Sequence, residues 1–334
     1  MKKIAFFEVT PNEKNYLKKK LKKDYEVFIY KEELNSDTAD SIKNVDVISP
    51  FIYSKIDSKV LSEANKLKLI ATRSTGFNHI DIKTAEKKHI SVANVPYYGE
   101  NTVAEHTFAL ILALSRNLHK AYVRTINNDF TLPGLQGFDL KGKILGVIGA
   151  GSIGVHVIKI AKGFGMKVIA SDARPNHILE ELLDFKYVSL DKLLQNSDII
   201  TLHCPYNAHT HHLINMGNIN KVKKGTLFIN TARSGIIEPQ ALYHAIEKGI
   251  FSGAGLDVFE GEELLKEENQ MLTKNVSVEH LEAILKRNIL LRNENVIITP
   301  HMAFDSIEAV ERILDTTMEN IISFFEGKKY HKVV

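Results

Sequence analysis

Residues 141–172 read KGKILGVIGAGSIGVHVIKIAKGFGMKVIASD and join an apolar run, a glycine-rich turn and a helical pattern. The turn has the spacing Gly149-x-Gly151-x-x-Gly154, and a second apolar run ends at Asp172. In a strand–turn–helix unit of this kind, the helix N-terminus binds phosphate groups. An acidic residue about 20 positions further on can accept hydrogen bonds from ribose hydroxyls. The stretch therefore predicts a Rossmann dinucleotide-binding unit, although glycines alone also occur in turns without a ligand.

The cofactor expected at this unit is NAD. The Asp172 carboxylate would repel the 2′-phosphate of NADP, whereas Arg174, two residues further on, keeps NADP open as an alternative. The residues predicted to bind the cofactor in this stretch are Gly149, Gly151, Ser152, Ile153, Gly154 and Asp172.

The composition of the chain restricts its partners. The chain has 334 residues, 44% of them hydrophobic, and a formal net charge of +3 from 43 basic and 40 acidic residues. This balance gives no reason to expect a nucleic-acid partner, and the lysines at 18–23 are typical of a solvated helix face. Because Cys204 is the only cysteine, no internal disulfide is possible. We expect a soluble cytoplasmic protein with neither a membrane span nor a cleaved leader.

The rest of the chain alternates strand and helix patterns, which predicts an α/β fold with two doubly wound parallel-sheet domains. The expected strands are 4–9, 27–30, 45–49, 69–72, 90–93, 199–203, 226–230, 253–257 and 296–299. The expected helices include 15–23, 60–66, 82–88, 190–195, 239–248, 279–286 and 306–325. One long helix is predicted at 101–128 between the two domains, and its apolar stripe suggests a homodimer contact.

Several polar residues follow the later strands, where ligands of open α/β sheets bind. Arginine suits bidentate binding of a carboxylate, and a histidine next to a carboxylate can act as a general acid near neutral pH. Arg233, Glu262 and His301 therefore predict reduction of a 2-oxo acid, with Arg233 binding the carboxylate, His301 protonating the carbonyl oxygen and Glu262 orienting His301. The strand-end residues Cys204, Pro205, Thr231, Ala232 and Asp257 complete the predicted cofactor site.

A metal site is not predicted. His209, His211 and His212 lie in one loop without helical i, i+4 spacing or a partner set of carboxylates. A polar loop bordering the cofactor is the favoured interpretation. Cys204 is expected to be a small apolar residue at a strand end rather than a nucleophile.

Six linked motifs give the chain a resemblance to a known family. They are TRSTGFNHID (72–81), VPYYGENTVAEH (95–106), GAGSIG (149–154), INTARSG (229–235), GLDVFEGEE (255–263) and ITPHMAF (298–304). The sequence resembles the D-isomer-specific 2-hydroxyacid dehydrogenases over nearly its whole length, and within them most closely the D-lactate dehydrogenases. The resemblance matches Arg233, Glu262 and His301 to the family's catalytic residues and Asp257 to the residue contacting the nicotinamide carboxamide. It also matches Thr75 and Gly76 to the loop that binds the substrate carboxylate, and Tyr53, Tyr98 and Phe304 to the substrate pocket.

The resemblance implies a particular domain arrangement. A flavodoxin-like catalytic domain would comprise residues 1–100 and 299–334, with an inserted Rossmann NAD-binding domain at 101–298. The cleft between the domains would close on the substrate, and the helix at 101–128 would form a dimer, as is common in the family.

The implied activity is reversible reduction of pyruvate to D-lactate with NADH. Alternatives are D-2-hydroxyisocaproate dehydrogenase, a glyoxylate or hydroxypyruvate reductase, and a non-catalytic NAD-sensing protein. The sequence departs from the family pattern at Ser152, at Ser234 and at Gly99-Glu100, without removing a catalytic group. The serine at 152 affects an expected phosphate contact, and the serine at 234 affects the expected backbone geometry next to Arg233.

Overall fold

The computed structural model describes residues 1–21, 25–259 and 288–334 and divides into two compact units. The first unit comprises Met1–Tyr98 and Asp305–Val334, and the second comprises Gly99–Phe304. Each unit contains one sheet whose strands all pair in parallel, which confirms the predicted fold class. The assignment of substrate binding to one predicted domain and NAD binding to the other stays a prediction.

The first unit has a five-stranded sheet in the order β2-β1-β3-β4-β5. Its strands are β1 (Lys2–Phe6), β2 (Tyr25–Ile29), β3 (Val47–Ser49), β4 (Leu69–Ala71) and β5 (Ser91–Ala93). Its helices are α1 (Pro11–Lys20), α2 (Ser58–Glu63), α3 (Ile82–Lys87) and, numbered in chain order, α10 (Ile307–Phe325), with a 3₁₀ helix at Ala39–Ile42. This is the doubly wound order of flavodoxin-like sheets, with a switch in strand order between β1 and β3.

Both faces of this sheet are covered. Side chains alternate along β1, so that Ile4 and Phe6 belong to one buried cluster and Ala5 to the other. Helix α10 covers the first of these faces with Leu314 and neighbouring apolar residues. Burial on both faces explains why the strands are short continuous apolar runs rather than alternating ones.

Helix α1 begins earlier than expected. The predicted start was Asn15, whereas the helix begins at Pro11, with Thr10 as its N-cap. The Thr10 side chain accepts a hydrogen bond from the Glu13 backbone, and the Glu13 carboxylate accepts one from the Thr10 backbone. This reciprocal capping box satisfies the first-turn amides with the chain's own side chains.

The second unit has a seven-stranded sheet in the order β12-β11-β10-β9-β6-β7-β8. The strands are β6 (Ile144–Ile148), β7 (Lys167–Ser171), β8 (Lys186–Tyr187), β9 (Ile199–Leu202), β10 (Thr226–Asn230), β11 (Phe251–Leu256) and β12 (Val296–Ile298). The helices are α4 (Glu100–Ser115), α5 (Leu118–Ile126), α6 (Ser152–Gly163), α7 (His177–Leu182), α8 (Leu190–Asn196) and α9 (Pro239–Glu247), with 3₁₀ helices at Ile219–Lys221 and Ser234–Ile236. The strand order reverses between β6 and β9, as in Rossmann sheets.

The single long helix predicted at 101–128 is wrong. Helix α4 ends at Ser115, and α5 begins at Leu118 after Asn117, whose φ of 51° is left-handed. Asn is one of the few residues that adopt this conformation readily, and a left-handed residue commonly ends a helix. Most of α4 is buried in the unit's core, whereas α5 has no buried residue.

Other elements differ less from expectation. Strand β10 has the predicted bounds, while β8 and α7 were not predicted. The helix expected at 279–286 lies outside the described residues. Within the described ranges, we find no helix with the length and apolarity needed to span a membrane.

Candidate active site

The predicted site residues of the second unit follow the carboxyl ends of neighbouring parallel strands. His301 comes after β12, Asp257 after β11 and Arg233 after β10, and these three strands pair directly. The row continues with Cys204 after β9 and Gly149 after β6. Since parallel strands end at one edge, these residues share the edge at which α/β sheets bind ligands.

Close backbone packing explains two glycines of the loop between β6 and α6. Gly149 has a φ of 94°, and a Cβ there would lie 2.5 Å from the backbone nitrogen of Cys204. A Cβ on Gly154 would overlap the carbonyl oxygen of Gly149. Larger residues at either position would push the loop off the strand ends.

The N-terminus of α6 is left open. Gly151 is its N-cap, and no side chain among the described residues caps it. The space next to Gly151 is empty to 4 Å, and the first-turn residues Ser152 and Ile153 are not buried. Amides at the positive end of a helix bind phosphate groups, so this turn fits a pyrophosphate.

The Asp172 carboxylate is hydrogen-bonded to the backbone of this loop. One carboxylate oxygen accepts a hydrogen bond from the backbone nitrogen of Ala150 at 2.8 Å, and the other accepts one from that of Arg174 at 2.8 Å. Each oxygen retains a lone pair for a ribose hydroxyl. The glycine loop and Asp172 therefore fit the dinucleotide that the sequence predicted.

Cys204 packs against the same loop. Burial, with a further contribution from the charge of Asp172, raises the pKa of the Cys204 thiol to about 11. The group is then a neutral thiol at physiological pH, which agrees with an apolar role rather than a nucleophilic one.

A buried asparagine arranges the segment that carries Arg233. The Asn230 side chain accepts a hydrogen bond from the Ala232 backbone at 3.0 Å and donates one to the Arg233 carbonyl at 3.0 Å. Thr231 contacts the Thr107 hydroxyl of α4 at 2.9 Å. The Arg233 side chain is exposed, and its Nη1 donates a hydrogen bond to the Ala232 carbonyl oxygen at 2.7 Å. Ser234 begins a 3₁₀ helix, a backbone conformation that does not require glycine. The guanidinium is thus presented to solvent from a fixed backbone.

Asp257 holds the segment that carries His301. Its Oδ1 accepts hydrogen bonds from the Thr299 hydroxyl at 2.6 Å and the Met302 nitrogen at 2.9 Å, and its Oδ2 accepts one from the Ala303 nitrogen at 2.8 Å. The His301 backbone nitrogen donates to the Asp257 carbonyl oxygen at 3.0 Å, with a left-handed φ of 53°. Asp257 therefore fixes the position of His301, and its contact with the nicotinamide stays a prediction.

Sequence reasoning missed His106, on α4. Its Nε2 lies 3.1 Å from the Thr299 hydroxyl and 3.5 Å from Oδ1 of Asp257. Burial lowers the pKa of His106 from its ordinary value, while the charge of Asp257 opposes that shift. Its position in the motif at 95–106 was the available signal, and Asn230 was marked by the motif at 229–235 and by its place at a strand end.

Thr75 and Gly76 lie in a hydrogen-bonded loop of the first unit. The Thr75 hydroxyl donates to the Val95 carbonyl at 2.8 Å, and Asn94 donates to the Thr75 carbonyl at 2.8 Å. The Ser74 hydroxyl donates to the Gly76 carbonyl at 2.6 Å. The loop therefore has a fixed shape, as an amide site for a carboxylate requires.

The other predicted substrate residues are divided between the units. Tyr53 is 44% exposed, and the Tyr98 carbonyl accepts a hydrogen bond from Arg312 at 2.6 Å. Both belong to the first unit, whereas Phe304 is the last residue of the second. Glu262 lies outside the described residues. In the described ranges, no three His, Cys, Asp or Glu residues are grouped so that they could hold a metal.

Comparison with known proteins identifies the family. Residues 108–303 match the model of the D-isomer-specific 2-hydroxyacid dehydrogenase NAD-binding domain. The chain is 38% identical to 2-hydroxyacid dehydrogenase homolog 1 of Schizosaccharomyces pombe, and 96% of each chain is covered. It is similar to the pyruvate reductase of Chlamydomonas reinhardtii, with a TM-score of 0.90, 36% identity and 98% of each chain covered.

A further similar structure contains bound ligands. The Aquifex aeolicus D-lactate dehydrogenase complexed with NAD and lactic acid has a TM-score of 0.84 and 38% identity, covering 97% of this chain and 96% of its own. These similarities extend over almost the whole sequence, including the glycine loop and the strand ends described above. The chain therefore belongs to the D-isomer-specific 2-hydroxyacid dehydrogenases, a family of oxidoreductases, and its cofactor is NAD.

Proposed function

We propose that this enzyme reduces pyruvate to D-lactate, with Arg233 and His301 as its catalytic residues. The observation that carries the proposal is the pairing of β10, β11 and β12, which sets both residues at the edge that also carries the glycine loop. Bound NADH supplies the hydride that reduces the carbonyl carbon of the 2-oxo acid. The residues of the chain have to bind the acid and deliver one proton.

Arg233 binds the substrate carboxylate in this proposal. Its side chain is exposed, and its backbone is held by Asn230. A guanidinium can donate two parallel hydrogen bonds to a carboxylate, and its charge polarises the adjacent carbonyl group. The role of Thr75 and Gly76 in binding a carboxylate, which the family resemblance implies, stays a prediction.

His301 donates the proton from its imidazole N–H to the carbonyl oxygen, which becomes the hydroxyl of the product. The His301 backbone nitrogen donates to the carbonyl oxygens of Asp257 and Thr299, so the segment that carries the ring is held in place. Glu262 would favour the imidazolium by its negative charge. In the reverse direction, the neutral ring accepts the proton from the hydroxyl.

The choice of pyruvate rests on the pocket residues and on the relatives. Tyr53, Tyr98 and Phe304 are large aromatics that would leave room for a small side chain. Two of the similar structures are a pyruvate reductase and a D-lactate dehydrogenase bound to lactic acid. A substrate with a methyl side chain is therefore favoured over a branched one.

A substrate panel tests this choice. With NADH, kcat/KM should be highest for pyruvate and lower for 2-oxoisocaproate, hydroxypyruvate and glyoxylate. A higher value for one of the others would replace pyruvate with that acid. If no 2-oxo acid supports NADH oxidation while NADH still binds, the chain is a binding protein and the proposal is wrong.

Two variants test the catalytic roles. His301→Asn keeps a residue that tolerates the left-handed φ but removes the acid, so we expect kcat to fall by about 100-fold or more. Arg233→Lys keeps the charge but loses the bidentate geometry, so kcat/KM should fall by about 100-fold. Titration by NADH fluorescence should give unchanged affinity in both. Wild-type kcat in His301→Asn, or wild-type kcat/KM in Arg233→Lys, would refute the assigned role.

A homodimer formed through α5 is the second part of the proposal. Leu118, Tyr122, Val123 and Ile126 are 54–66% exposed, although they are large and apolar. An amphipathic helix that exposes such a face is typical of a protein interface. Sedimentation equilibrium should show a dimer at micromolar concentration, and Tyr122→Glu with Ile126→Glu should give a monomer. A wild-type monomer would refute this.

The proposed location is the cytoplasm. It is supported by the single cysteine, whose thiol is partly buried and neutral and has no partner cysteine. Fractionation of cells followed by immunodetection should place the protein in the soluble fraction. Recovery from an exported fraction would contradict the assignment.

A further inference from the structure

We infer that Glu8 and Arg73 are positioning residues that hold the Tyr53 loop, residues 50–54, and thereby set the enzyme's selectivity among 2-oxo acids. The inference rests on the proposed function, in which Tyr53 borders the substrate. It concerns the first unit alone, where all the contacts below are made.

The Glu8 carboxylate accepts hydrogen bonds from three backbone amides of the loop. Its Oε2 accepts hydrogen bonds from the nitrogen of Phe51 at 2.8 Å and of Ser54 at 3.2 Å, and its Oε1 accepts one from the nitrogen of Tyr53 at 2.8 Å. The Ser54 hydroxyl donates a further short hydrogen bond to Oε2. Hydrogen bonds to an ionised group are roughly twice as strong as neutral ones, so this carboxylate determines the path of the loop.

The backbone of Glu8 is itself held by hydrogen bonds. Its φ of 56° is left-handed, and its backbone nitrogen donates to the Glu32 carbonyl at 3.1 Å. The buried Arg73 donates from Nη2 to the carbonyl oxygens of Phe7 at 2.6 Å and of Glu8 at 3.0 Å. A non-glycine residue keeps such a conformation only where its surroundings hold it, which is common at functional sites.

Arg73 also reaches the loop directly. Its backbone nitrogen donates to the Pro50 carbonyl at 3.0 Å, and its guanidinium carbon lies 5.8 Å from the centre of the Phe51 ring. The next residues along the chain are the carboxylate-binding loop at 74–76. One buried cation therefore connects the segment proposed to bind the carboxylate with the segment proposed to meet the substrate side chain.

The location in the sheet agrees with this role. Glu8 follows β1, and the Tyr53 loop follows β3, so the carboxylate lies where the strand order of the first sheet reverses. Ligands of open α/β sheets bind at this point. Here the position is filled by the chain's own carboxylate, which shapes the loop instead of binding a separate anion.

Glu8→Gln tests the inference with little change in volume. The amide NH₂ cannot accept a hydrogen bond, so at least one loop donor loses its partner. We expect about a tenfold rise in KM for pyruvate with kcat less affected, and a changed ratio of kcat/KM between pyruvate and 2-oxoisocaproate. Amide hydrogen exchange at Phe51 and Tyr53 should become faster. NADH affinity should stay at the wild-type value.

Asp46→Asn is the matched control. Asp46 also accepts hydrogen bonds, from the Lys3 backbone at 3.0 Å and from Lys68 at 3.2 Å, but it precedes β3 at the opposite edge of the same sheet. The loss of stability should be comparable in the two variants, while only Glu8→Gln changes the selectivity ratio. If both variants or neither change that ratio, Glu8 has only a structural role.

A second variant covers the case in which Glu8→Gln does not fold. Ser54→Ala removes the hydroxyl that donates to Glu8 and accepts from the Leu34 nitrogen at 2.9 Å, and leaves the carboxylate in place. A smaller shift of the selectivity ratio in the same direction supports the inference, and an unchanged ratio overturns it. A wild type inactive on every 2-oxo acid would instead refute the proposed function, while the exchange measurement would still report whether Glu8 holds the loop.

Discussion

The two units place different chemistry at the same position of a doubly wound sheet. In both, the strand order reverses beside the first strand of the unit, and a helix follows that strand. In the second unit, α6 has a glycine N-cap and open first-turn amides. In the first unit, α1 has a complete capping box, and Glu8 accepts hydrogen bonds from the backbone amides of the Tyr53 loop.

The difference shows that the reversal of strand order is not sufficient for a nucleotide site. Both sheets provide a crevice at this point, but only the second leaves backbone donors for an outside anion. The first uses carboxylates and a threonine from its own chain. Glycines that admit a ligand distinguish one site from the other.

The largest effect is expected from Gly154→Ala. The added Cβ would overlap the Gly149 carbonyl, so α6 must move away from β6. We expect a loss of about 3 kcal/mol in the free energy of unfolding and a large loss of NADH affinity. Gly163→Ala at the end of the same helix is the control, because its Cβ meets nothing within 4 Å. Denaturant titration with equal values for both variants would contradict the packing role of Gly154.

The second prediction compares a partly buried histidine of each unit. His79 contacts the Thr72 hydroxyl at 3.2 Å, and His203 contacts that of Thr201 at 2.9 Å. Burial lowers the pKa of His79 to about 4 and that of His203 to about 3, from an ordinary value of 6.5. Below that ordinary value the unfolded chain binds protons that the folded chain does not, so stability falls as the pH falls.

Each histidine should contribute a slope of about 1.4 kcal/mol per pH unit between its ordinary and its folded pKa. The contribution of His79 ends near pH 4, whereas that of His203 continues to about pH 3. Urea titrations from pH 7 to pH 4.5 should show a smaller slope in His79→Gln and in His203→Gln. An unchanged slope in both variants would contradict the burial argument.

The third prediction transfers a cap between the units. Gly151→Ser gives α6 a side-chain cap in a position where a Cβ meets nothing within 4 Å. The free energy of unfolding should change by less than about 0.5 kcal/mol, because Gly and Ser caps differ by only a few tenths. NADH affinity should nevertheless fall about tenfold, since the hydroxyl competes with the phosphate for the amides. Isothermal titration giving wild-type affinity would show that the open cap is not required.

The smallest effect is expected from Thr10→Ala in the first unit. Loss of the N-cap should lower the free energy of unfolding by about 1 kcal/mol, because the Glu13 amide loses its acceptor. NADH affinity should not change, since this cap serves only the fold. Calorimetry with and without NADH measures both quantities. A change in affinity equal to that of Gly151→Ser would remove the distinction between the two helix starts.

The sequence predicted the strands better than the helix ends. Strand β10 is a short apolar run between turn signals, so its bounds followed directly from its pattern. The break at Asn117 was missed because apolar residues continue on both sides of it, and one left-handed residue does not alter that period. Strand β8 has two residues, too few for any pattern to show.

The candidate site was predicted where local motifs mark it. These motifs indicated the glycine loop and the residues after β10, β11 and β12, whose functional roles stay predictions. His106 and Glu8 were not, because their partners lie far along the chain, at Thr299 and at residues 51–54. A pairing of this kind depends on tertiary packing, which no short window of sequence contains.

The discontinuity of the first unit affects how the chain is made. Residues 305–334 supply α10 and a final segment that pairs with β5. The Val333 nitrogen donates to the Val92 carbonyl oxygen at 2.7 Å, and the Val92 nitrogen donates to the Val334 carbonyl oxygen at 3.0 Å. A ribosome adding 5–20 residues per second needs roughly 10–40 s to cross the intervening second unit. The unit that contains residues 1–98 is therefore completed only after the second unit, and until then the edge at β5 lacks its partner segment at residues 332–334.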